Sequence, residues 1–383
     1  MNYIFFEDQT RENLLPFTFT RPVCEIRIGI TTITEKWKHF LNGNFSFATQ
    51  AYLAQKYPLQ LQANSVFVNG SVFPNATLIN EINQLKANQA IVFENTIIAY
   101  VSNEVVADFS KFEKITTASN PIQIKNVWDI FLKNGEAIQF DFEWLTKGRK
   151  SQAISSTNKV IAPENIFIED GAVVECSILN ASTGAIYIGK DAEVMEGSII
   201  RGPFALCEHA ATKLGTKIYG PTTIGPYSKV GGEVNNSVIF GFSNKGHDGF
   251  LGNSVLGEWC NLGADTNNSN LKNNYSEVKI YNYTKKDFVG TGLQFCGLFM
   301  GDHSKCGINT MFNTGTVVGV SSNIFGAGFP EKYIPSFSWG GAEASEVFKL
   351  DKAMELAERV FERRAKTFNE TEKNIFKYLF NNK

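Results

Sequence analysis

At the centre of the repeat that decides the fold lies Asn244-Lys245-Gly246-His247-Asp248-Gly249-Phe250-Leu251-Gly252. Around it an aliphatic residue recurs about every sixth position, as in Ile188, Val194 and Ile200. This period is neither that of a helix nor that of a two-sided strand, and it is typical of a hexapeptide β-helix. Apolar-glycine units mark the repeat: Ile188-Gly189-Lys190-Asp191, Ile224-Gly225-Pro226-Tyr227, Leu251-Gly252-Asn253-Ser254, Leu262-Gly263-Ala264-Asp265, Val289-Gly290-Thr291-Gly292 and Met300-Gly301-Asp302-His303.

Each repeat unit predicts one short strand whose aliphatic side chain points into a shared core. We expect the following glycine to lie where the coil turns, because glycine tolerates the backbone angles of a corner. A single coil cannot bury its own apolar face, so the coils have to stack on one another.

The composition limits the partners and the compartment. The chain has 383 residues, enough for two or three domains, and 43% of them are hydrophobic. The net charge of -2 argues against nucleic acid and an anionic membrane surface as partners. Six scattered cysteines and a start without a signal peptide or apolar span predict a protein of the reducing cytoplasm.

The pattern along the chain predicts four segments. Residues 1–145 alternate short strands and helices, which predicts a layered α/β domain with a partly parallel sheet. The polar stretch 146–160 is the predicted linker, and residues 161–330 carry the β-helix. In the tail, 331–383, apolar residues spaced by threes and fours predict one long helix, which packs either on its own β-helix or on another subunit.

His247 is the strongest candidate for a chemical role. Gly246 and Gly249 flank it, and His247 itself interrupts the apolar-glycine pattern, which predicts a loop or coil corner with an exposed imidazole. Such a group titrates near neutrality and suits proton removal from an amine or hydroxyl. A hydrogen-bonded structural histidine is the alternative. A metal site would need His209, His247 and His303 to converge, and their spacing gives no support, so we predict no metal site.

The segment around His247 carries a family resemblance. Ser243-Asn244-Lys245-Gly246-His247 followed by Leu251-Gly252-Asn253-Ser254 resembles the acetyltransferase half of bifunctional N-acetylglucosamine-1-phosphate uridyltransferase/glucosamine-1-phosphate acetyltransferases. That family usually has Tyr three residues after the catalytic His, where this chain has Phe250, so the acceptor stays open. The resemblance implies these roles: catalytic base, His247; substrate binding, Lys229, Lys245, Asn270 and Lys272 or Lys279; a border to coenzyme A, Ala264 and Thr291.

The same resemblance implies a fold and a reaction. The fold is a left-handed parallel β-helix, assembled as a homotrimer with the site between neighbouring β-helices. The reaction is transfer of an acetyl group from acetyl-CoA, as co-substrate, to the amino group of glucosamine 1-phosphate, a step of UDP-N-acetylglucosamine synthesis.

The N-terminal segment resembles a second class of enzymes. Thr10-Arg11, Leu15-Pro16-Phe17-Thr18 and Thr20-Arg21-Pro22 are similar to the opening of sugar-phosphate nucleotidyltransferases, which implies that Arg11 and Arg21 bind a nucleotide. An active domain would also need an NTP and Mg²⁺. However, the turn Phe6-Glu7-Asp8-Gln9 lacks glycine and carries two carboxylates that would repel phosphates. The alternative function, which these carboxylates weaken, is a sugar-1-phosphate nucleotidyltransferase in which the β-helix is a trimerising or regulatory scaffold.

Overall fold

The N-terminal region is built on one six-stranded sheet. The structure, a computed structural model, describes all 383 residues. The first three strands in spatial order are parallel, and the fourth and fifth form an antiparallel hairpin. In spatial order the strands are Asn44–Ala48, Asn2–Phe6, Ser65–Asn69, Thr96–Ser102, Gln89–Phe93 and Glu113–Thr116.

Helices cover this sheet and connect its strands. Ile33–Phe40 begins with a capping box in which Thr32 and Glu35 satisfy each other's backbone N–H groups. The α-helices of the region are Thr10–Asn13, Ile33–Phe40, Ala76–Gln84, Asp129–Leu132 and Asn134–Thr146, and the 3₁₀ turns are Phe17–Phe19, Val23–Glu25 and Ala51–Leu53.

A parallel β-helix with three faces follows, as the repeat predicts. The first coils contribute one strand to each face, whereas the first face ends at Phe250–Gly252 and the later coils continue only in the second and third faces. The first face contains Lys159–Ile161, Ile178–Asn180, Ile199–Arg201, Lys217–Tyr219, Glu233–Asn235 and Phe250–Gly252. The second contains Ile166–Ile168, Ile186–Ile188, Phe204–Leu206, Thr222–Ile224, Val238–Gly241, Val255–Glu258, Leu298–Met300, Thr316–Val318 and Tyr333–Ile334. The third contains Val173–Val174, Glu193–Val194, Ala211–Thr212, Lys229–Val230, Asn244–Lys245, Asn261–Leu262, Lys305–Cys306, Asn323–Ile324, Ser338–Gly340 and Ser345–Val347.

The repeat glycines have a different physical role from the one expected. Ile188, Val194 and Ile200 are buried in the core, as predicted. The glycine after the aliphatic residue is not the one with left-handed backbone angles; that conformation falls two residues later, as at Tyr227, with φ of 59°. A Cβ on Gly225 would lie 1.6 Å from the Phe240 carbonyl oxygen of the next coil. Glycine is therefore needed for the close approach of stacked coils.

One predicted repeat unit is wrong. Residues 289–292 do not form a coil strand but belong to an insertion between two coils. Within it, Lys279–Asn282 and Asp287–Gly290 pair antiparallel as a hairpin. The ring of Tyr283, at the turn of this hairpin, contacts the Phe19 ring of the N-terminal region, with 5.2 Å between the ring centroids. Asn267–Asn268 and Met311–Phe312 form a separate short parallel pair. An apolar residue before glycine fits a hairpin strand as well as a coil strand.

The C-terminal tail forms two helices instead of the single one expected. Leu350–Glu362 ends before Glu370–Asn381 begins, and Asn369 caps the second helix by accepting a hydrogen bond from the Glu372 backbone N–H. Both helices pack on the chain's own β-helix, where Phe361 stacks on Trp259 with a centroid distance of 4.1 Å. None of the helices combines the length and hydropathy needed to cross a membrane.

The helices cover one end of an aromatic ladder at the corner between the second and third faces. The ladder residues all have left-handed backbone angles, with φ from 54° to 63°. Each left-handed residue costs about 1–2 kcal/mol, and each stacked pair returns about 0.5–1.5 kcal/mol. Stacking therefore offsets much of the strain at this corner. Its members in chain order are His209, Tyr227, Phe242, Trp259 and His303.

The N-terminal region packs on the outer side of the second face. One apolar cluster joins both parts, with Phe17 against Phe240 at a centroid distance of 5.2 Å. At the same junction Arg21 forms a buried ion pair with Asp302 of the β-helix. Coverage of this face leaves the first face, and its corner with the third, open to solvent, as the exposed Ile199 illustrates.

Candidate active site

His247 lies in solvent at the corner between the third and first faces. Its loop connects the strands Asn244–Lys245 and Phe250–Gly252, and the ring is exposed as the flanking glycines predict. The loop is fixed on both sides: the Asp248 carbonyl accepts from the Asp265 backbone N–H at 3.0 Å, and the Gly249 carbonyl accepts from the Glu233 N–H at 3.1 Å. An exposed imidazole on a fixed loop can remove a proton from a docked substrate.

Lys245 holds the His247 loop from inside the coil. It pairs in register with the core residue Val230, and only 1% of it is exposed. Its Nζ donates to the carbonyl oxygens of His247 at 2.8 Å and Gly231 at 2.9 Å. Burial lowers the pKa of Lys245 to about 8. Substrate binding by Lys245 stays a prediction, while the observed contacts make it a tether for the loop.

Asn270 lies beside the next coil. Its Nδ2 donates to Asn253 Oδ1 at 2.7 Å. The half-buried Phe250 ring packs against Gly252, where an added Cβ would lie 2.4 Å from the ring. The Phe250 backbone N–H donates to Asn267 Oδ1 at 2.8 Å, so amide side chains and an aromatic ring line the coil that follows His247.

A basic cluster lies on the third face beside the same coil. Lys229 is next to Asn244 in register, and Arg364 from the C-terminal tail lies 3.5 Å from the Asn244 side-chain oxygen. The pKa of Lys229 is lowered by burial, then by the neighbouring charges of Lys213, Arg364 and Arg363. An anion placed here would relieve that repulsion. We call Lys213, Lys229, Arg363 and Arg364 the basic cluster.

Sequence reasoning found Lys229 but missed the other three members of the basic cluster. The adjacent Arg363-Arg364 pair after an amphipathic helix was the available signal. The two arginines join the cluster because the tail packs on the β-helix, where Lys366 Nζ lies 5.1 Å from the centroid of the Phe242 ring.

Of the remaining predicted residues, Lys272, Lys279 and Thr291 belong to the insertion, whereas Ala264 lies on the coil stacked on the His247 loop. Lys272 donates to the Glu277 carbonyl within the insertion, and Lys279 lies on the hairpin strand. Ala264 is a half-buried corner residue whose carbonyl accepts from the Asn309 N–H at 2.8 Å. Thr291 is buried at the hairpin base, where its hydroxyl donates to Val278 O at 2.7 Å. Their roles stay predictions.

The other two candidate histidines belong to the aromatic ladder. His209 is exposed and lies 3.8 Å from Asp191. His303 is buried, stacks near Phe361 and Phe376, and leaves Nδ1 without a partner; burial lowers its pKa well below the usual range. Three stacked aromatic residues separate the two rings, and His247 lies at another corner.

The predicted nucleotide site contains internally paired charges. Arg11 donates to the Thr18 carbonyl at 3.0 Å and the Tyr52 hydroxyl at 2.9 Å. Arg21 lies between Asp302 and Glu258, whose Oε2 is 3.3 Å from its Nη2. Nucleotide binding by either arginine stays a prediction.

The carboxylates after the first strand are held by hydrogen bonds within the chain. Glu7 accepts from the Val23 N–H at 2.8 Å and the Thr49 hydroxyl at 2.6 Å. Asp8 accepts from the Thr10 N–H at 2.8 Å and Asn69 Nδ2 at 2.9 Å. No group of three or more His, Cys, Asp and Glu side chains is arranged to hold a metal ion. Each of these four carboxylate oxygens accepts one hydrogen bond from within the chain.

Comparison with known proteins identifies the relatives. Residues 3–150 match the family described as "Sugar nucleotidyl transferase". The family resemblance is confirmed. A 192-residue segment, 50% of this chain, is 28% identical to the "Bifunctional sugar-1-phosphate nucleotidylyltransferase/acetyltransferase" of Sulfurisphaera tokodaii, of which it covers 47%.

Two further relatives extend this likeness. An "Uncharacterized acetyltransferase YaiX" of Escherichia coli is 24% identical over 189 residues, which cover 49% of this chain and 79% of the relative. The "Bifunctional protein GlmU" of Methanocaldococcus jannaschii is 33% identical over 87 residues, 23% of this chain and 21% of the relative. The chain thus spans about half the length of the Sulfurisphaera relative.

Proposed function

We propose that the chain is an acyltransferase that moves an acetyl group from acetyl-CoA to the amino group of a sugar phosphate, with glucosamine 1-phosphate as the acceptor. One observation carries this proposal: the exposed, tethered His247 shares a coil with Asn244, which contacts the basic cluster. A single small molecule could then contact both His247, as the proton acceptor, and the basic cluster, as the phosphate site. The relatives named as acetyltransferases support the reaction class.

His247 acts as the general base. As the amino nitrogen attacks the thioester carbonyl, His247 takes one of its protons; the carbon–nitrogen bond forms, the carbon–sulfur bond breaks, and the proton passes to the departing thiolate. Lys229 and Arg364 hold the phosphate, which aligns the amine with the imidazole. Phe250 supplies an apolar wall where the related enzymes have a hydroxyl.

Thiol release from acetyl-CoA in the presence of glucosamine 1-phosphate tests this proposal. Replacing His247 with Ala should lower kcat by about 10²–10⁴, the usual contribution of a general base. His39→Ala is the matched control, because His39 is exposed on the N-terminal helix Ile33–Phe40 and stacks on Trp144. If His247→Ala and wild type release thiol at the same rate, the β-helix is a scaffold and the proposal is wrong.

The acyltransferase is proposed to be a cytoplasmic homotrimer whose site lies between neighbouring β-helices. Exposed aliphatic residues support a contact beside the His247 corner: on the first face Ile178 is 37% exposed and Ile199 is 49% exposed. Light scattering should give three times the mass of the chain. A monomeric mass for wild type would contradict both the trimer and a site between subunits, whereas thiol release tests His247 separately.

The second candidate function is sugar-1-phosphate nucleotidyl transfer in the N-terminal region. The family match over residues 3–150 favours it. Pyrophosphate release from UTP, Mg²⁺ and N-acetylglucosamine 1-phosphate measures it directly. Release that is lost on Arg11→Ala would support this function, and no release by wild type would remove it.

A further inference from the structure

A polar cleft of about 320 Å³ lies where the N-terminal region meets the β-helix. The segment around Arg21, Glu25 and Arg27 forms one wall, and Glu258 of the β-helix contributes to the other. Its volume is within the range of small-molecule sites. The cleft is at the second face, whereas His247 lies at the opposite corner, between the third and first faces.

The charges of the cleft balance. Three cations, Arg21, Arg27 and Lys38, face three carboxylates, Glu25, Glu35 and Glu258. Arg27 pairs with Glu35 at 3.7 Å and Arg21 with Glu258 at 3.3 Å. Glu25 and Lys38 are left without an ion pair. A triphosphate would bring about four negative charges into this neutral lining, and the neighbouring Asp302 would add repulsion.

Several polar groups of the cleft have no partner within the chain. The Lys38 ammonium is exposed and contacts no carboxylate, so a hydroxyl oxygen of a ligand can accept a hydrogen bond from it. Burial raises the pKa of Glu25, which fits a carboxyl turned away from bulk water. The Tyr57 hydroxyl likewise makes no hydrogen bond to another residue.

We propose that this junction cleft binds a sugar that carries no phosphate chain. Sugar hydroxyls both donate and accept hydrogen bonds, so they can satisfy the Glu25 carboxyl, the Tyr57 hydroxyl and the Lys38 ammonium together. The site does not depend on the acyl transfer proposed for His247. It lies between residues of both parts of the chain, so an occupant contacts the N-terminal region and the β-helix at once.

Titration calorimetry with glucosamine, N-acetylglucosamine and UTP tests the proposal on the full chain. A sugar of this set should bind wild type and should not be displaced by UTP. Glu25→Gln and Lys38→Met should each weaken binding about tenfold, the loss expected for one hydrogen bond to a charged group. Lys86→Met is the matched control, because Lys86 is an exposed lysine of the N-terminal region outside the cleft.

The same two variants separate the cleft from the acceptor site, because Glu25 and Lys38 line the cleft and His247 lies at another corner of the β-helix. The proposal is overturned if neither sugar binds wild type, if UTP displaces the sugar, or if Glu25→Gln and Lys38→Met both bind like wild type. Because Lys38 is exposed and makes no ion pair, Lys38→Met should fold normally and keeps the test decisive.

Discussion

Replacing Lys245 with Met should leave the fold intact or stabilise it at pH 7, yet lower activity. In the folded chain Lys245 is 1% exposed, and burial lowers its pKa from 10.5 to about 8. The difference between those two pKa values corresponds to a penalty of about 3 kcal/mol on the charged form. Methionine has a similar length and no charge, so it removes this penalty and fills the same space. The carbonyl of His247 loses its hydrogen bond from Nζ, so the loop loosens.

The effect of Lys245→Met on stability should depend on pH in a defined direction. Below about pH 8 the lysine is charged in both the folded and the unfolded chain, so wild type bears the whole penalty. Between about pH 8 and 10.5 the folded chain has released the proton that the unfolded chain still binds, so wild type gains stability relative to the variant. The advantage of the Met variant should therefore be largest at pH 7 and disappear towards pH 10.5.

Chemical unfolding of Lys245→Met and wild type at several pH values measures this difference, and thiol release measures the activity. Lys217→Met is the control, because Lys217 is exposed on a strand of the first face. A variant that is less stable than wild type by more than about 1 kcal/mol at pH 7 would refute the reasoning, since the hydrogen bonds would then outweigh the burial penalty. A stability difference that does not change between pH 7 and 10 would refute it as well.

Three further predictions concern other parts of the chain. Burial lowers the pKa of His303 well below its usual range. Stability should therefore fall as pH drops below about 6.5, where the unfolded chain binds a proton that the folded chain does not. In thermal melts, His303→Phe should reduce this dependence of stability on pH. Gly225→Ala should destabilise the fold by several kcal/mol because its Cβ would lie 1.6 Å from a backbone oxygen, whereas Gly246→Ala, with nothing within 4 Å, should unfold like wild type. Lys229→Ala and Arg364→Ala should each raise KM for the sugar phosphate about tenfold and leave kcat nearly unchanged, which initial-rate kinetics would show.

The β-helix could be predicted from the sequence because the period of its aliphatic residues reports which side chains point inward. The same reasoning misplaced residues 289–292. An apolar residue followed by glycine occurs both in a coil strand and in an antiparallel hairpin strand, so the pair alone does not distinguish them. The exposure of His247 could also be predicted from the sequence, because the flanking glycines have no side chains that could fill a core.

The electrostatic parts of the site could not be predicted because they depend on packing between distant segments. Arg364 reaches Asn244 across 120 positions, and Arg21 meets Asp302 across 281. No local pattern encodes such partners. The pairing of Arg21 matters for function, since a residue that resembles a phosphate ligand in sequence is bound to a carboxylate in the fold.

The coverage of the β-helix limits the size of the acceptor. The N-terminal region covers the second face and the terminal helices cover the corner between the second and third, so a substrate approaches along the third face towards His247. From Asn244 to His247 three residues of chain span at most about 10 Å, and Arg364 lies 3.5 Å from the Asn244 side-chain oxygen. On the proposed function, the acceptor therefore spans no more than one sugar phosphate. A disaccharide phosphate should therefore accept the acetyl group much more slowly than glucosamine 1-phosphate, and equal rates in the thiol-release assay would contradict this placement of the phosphate.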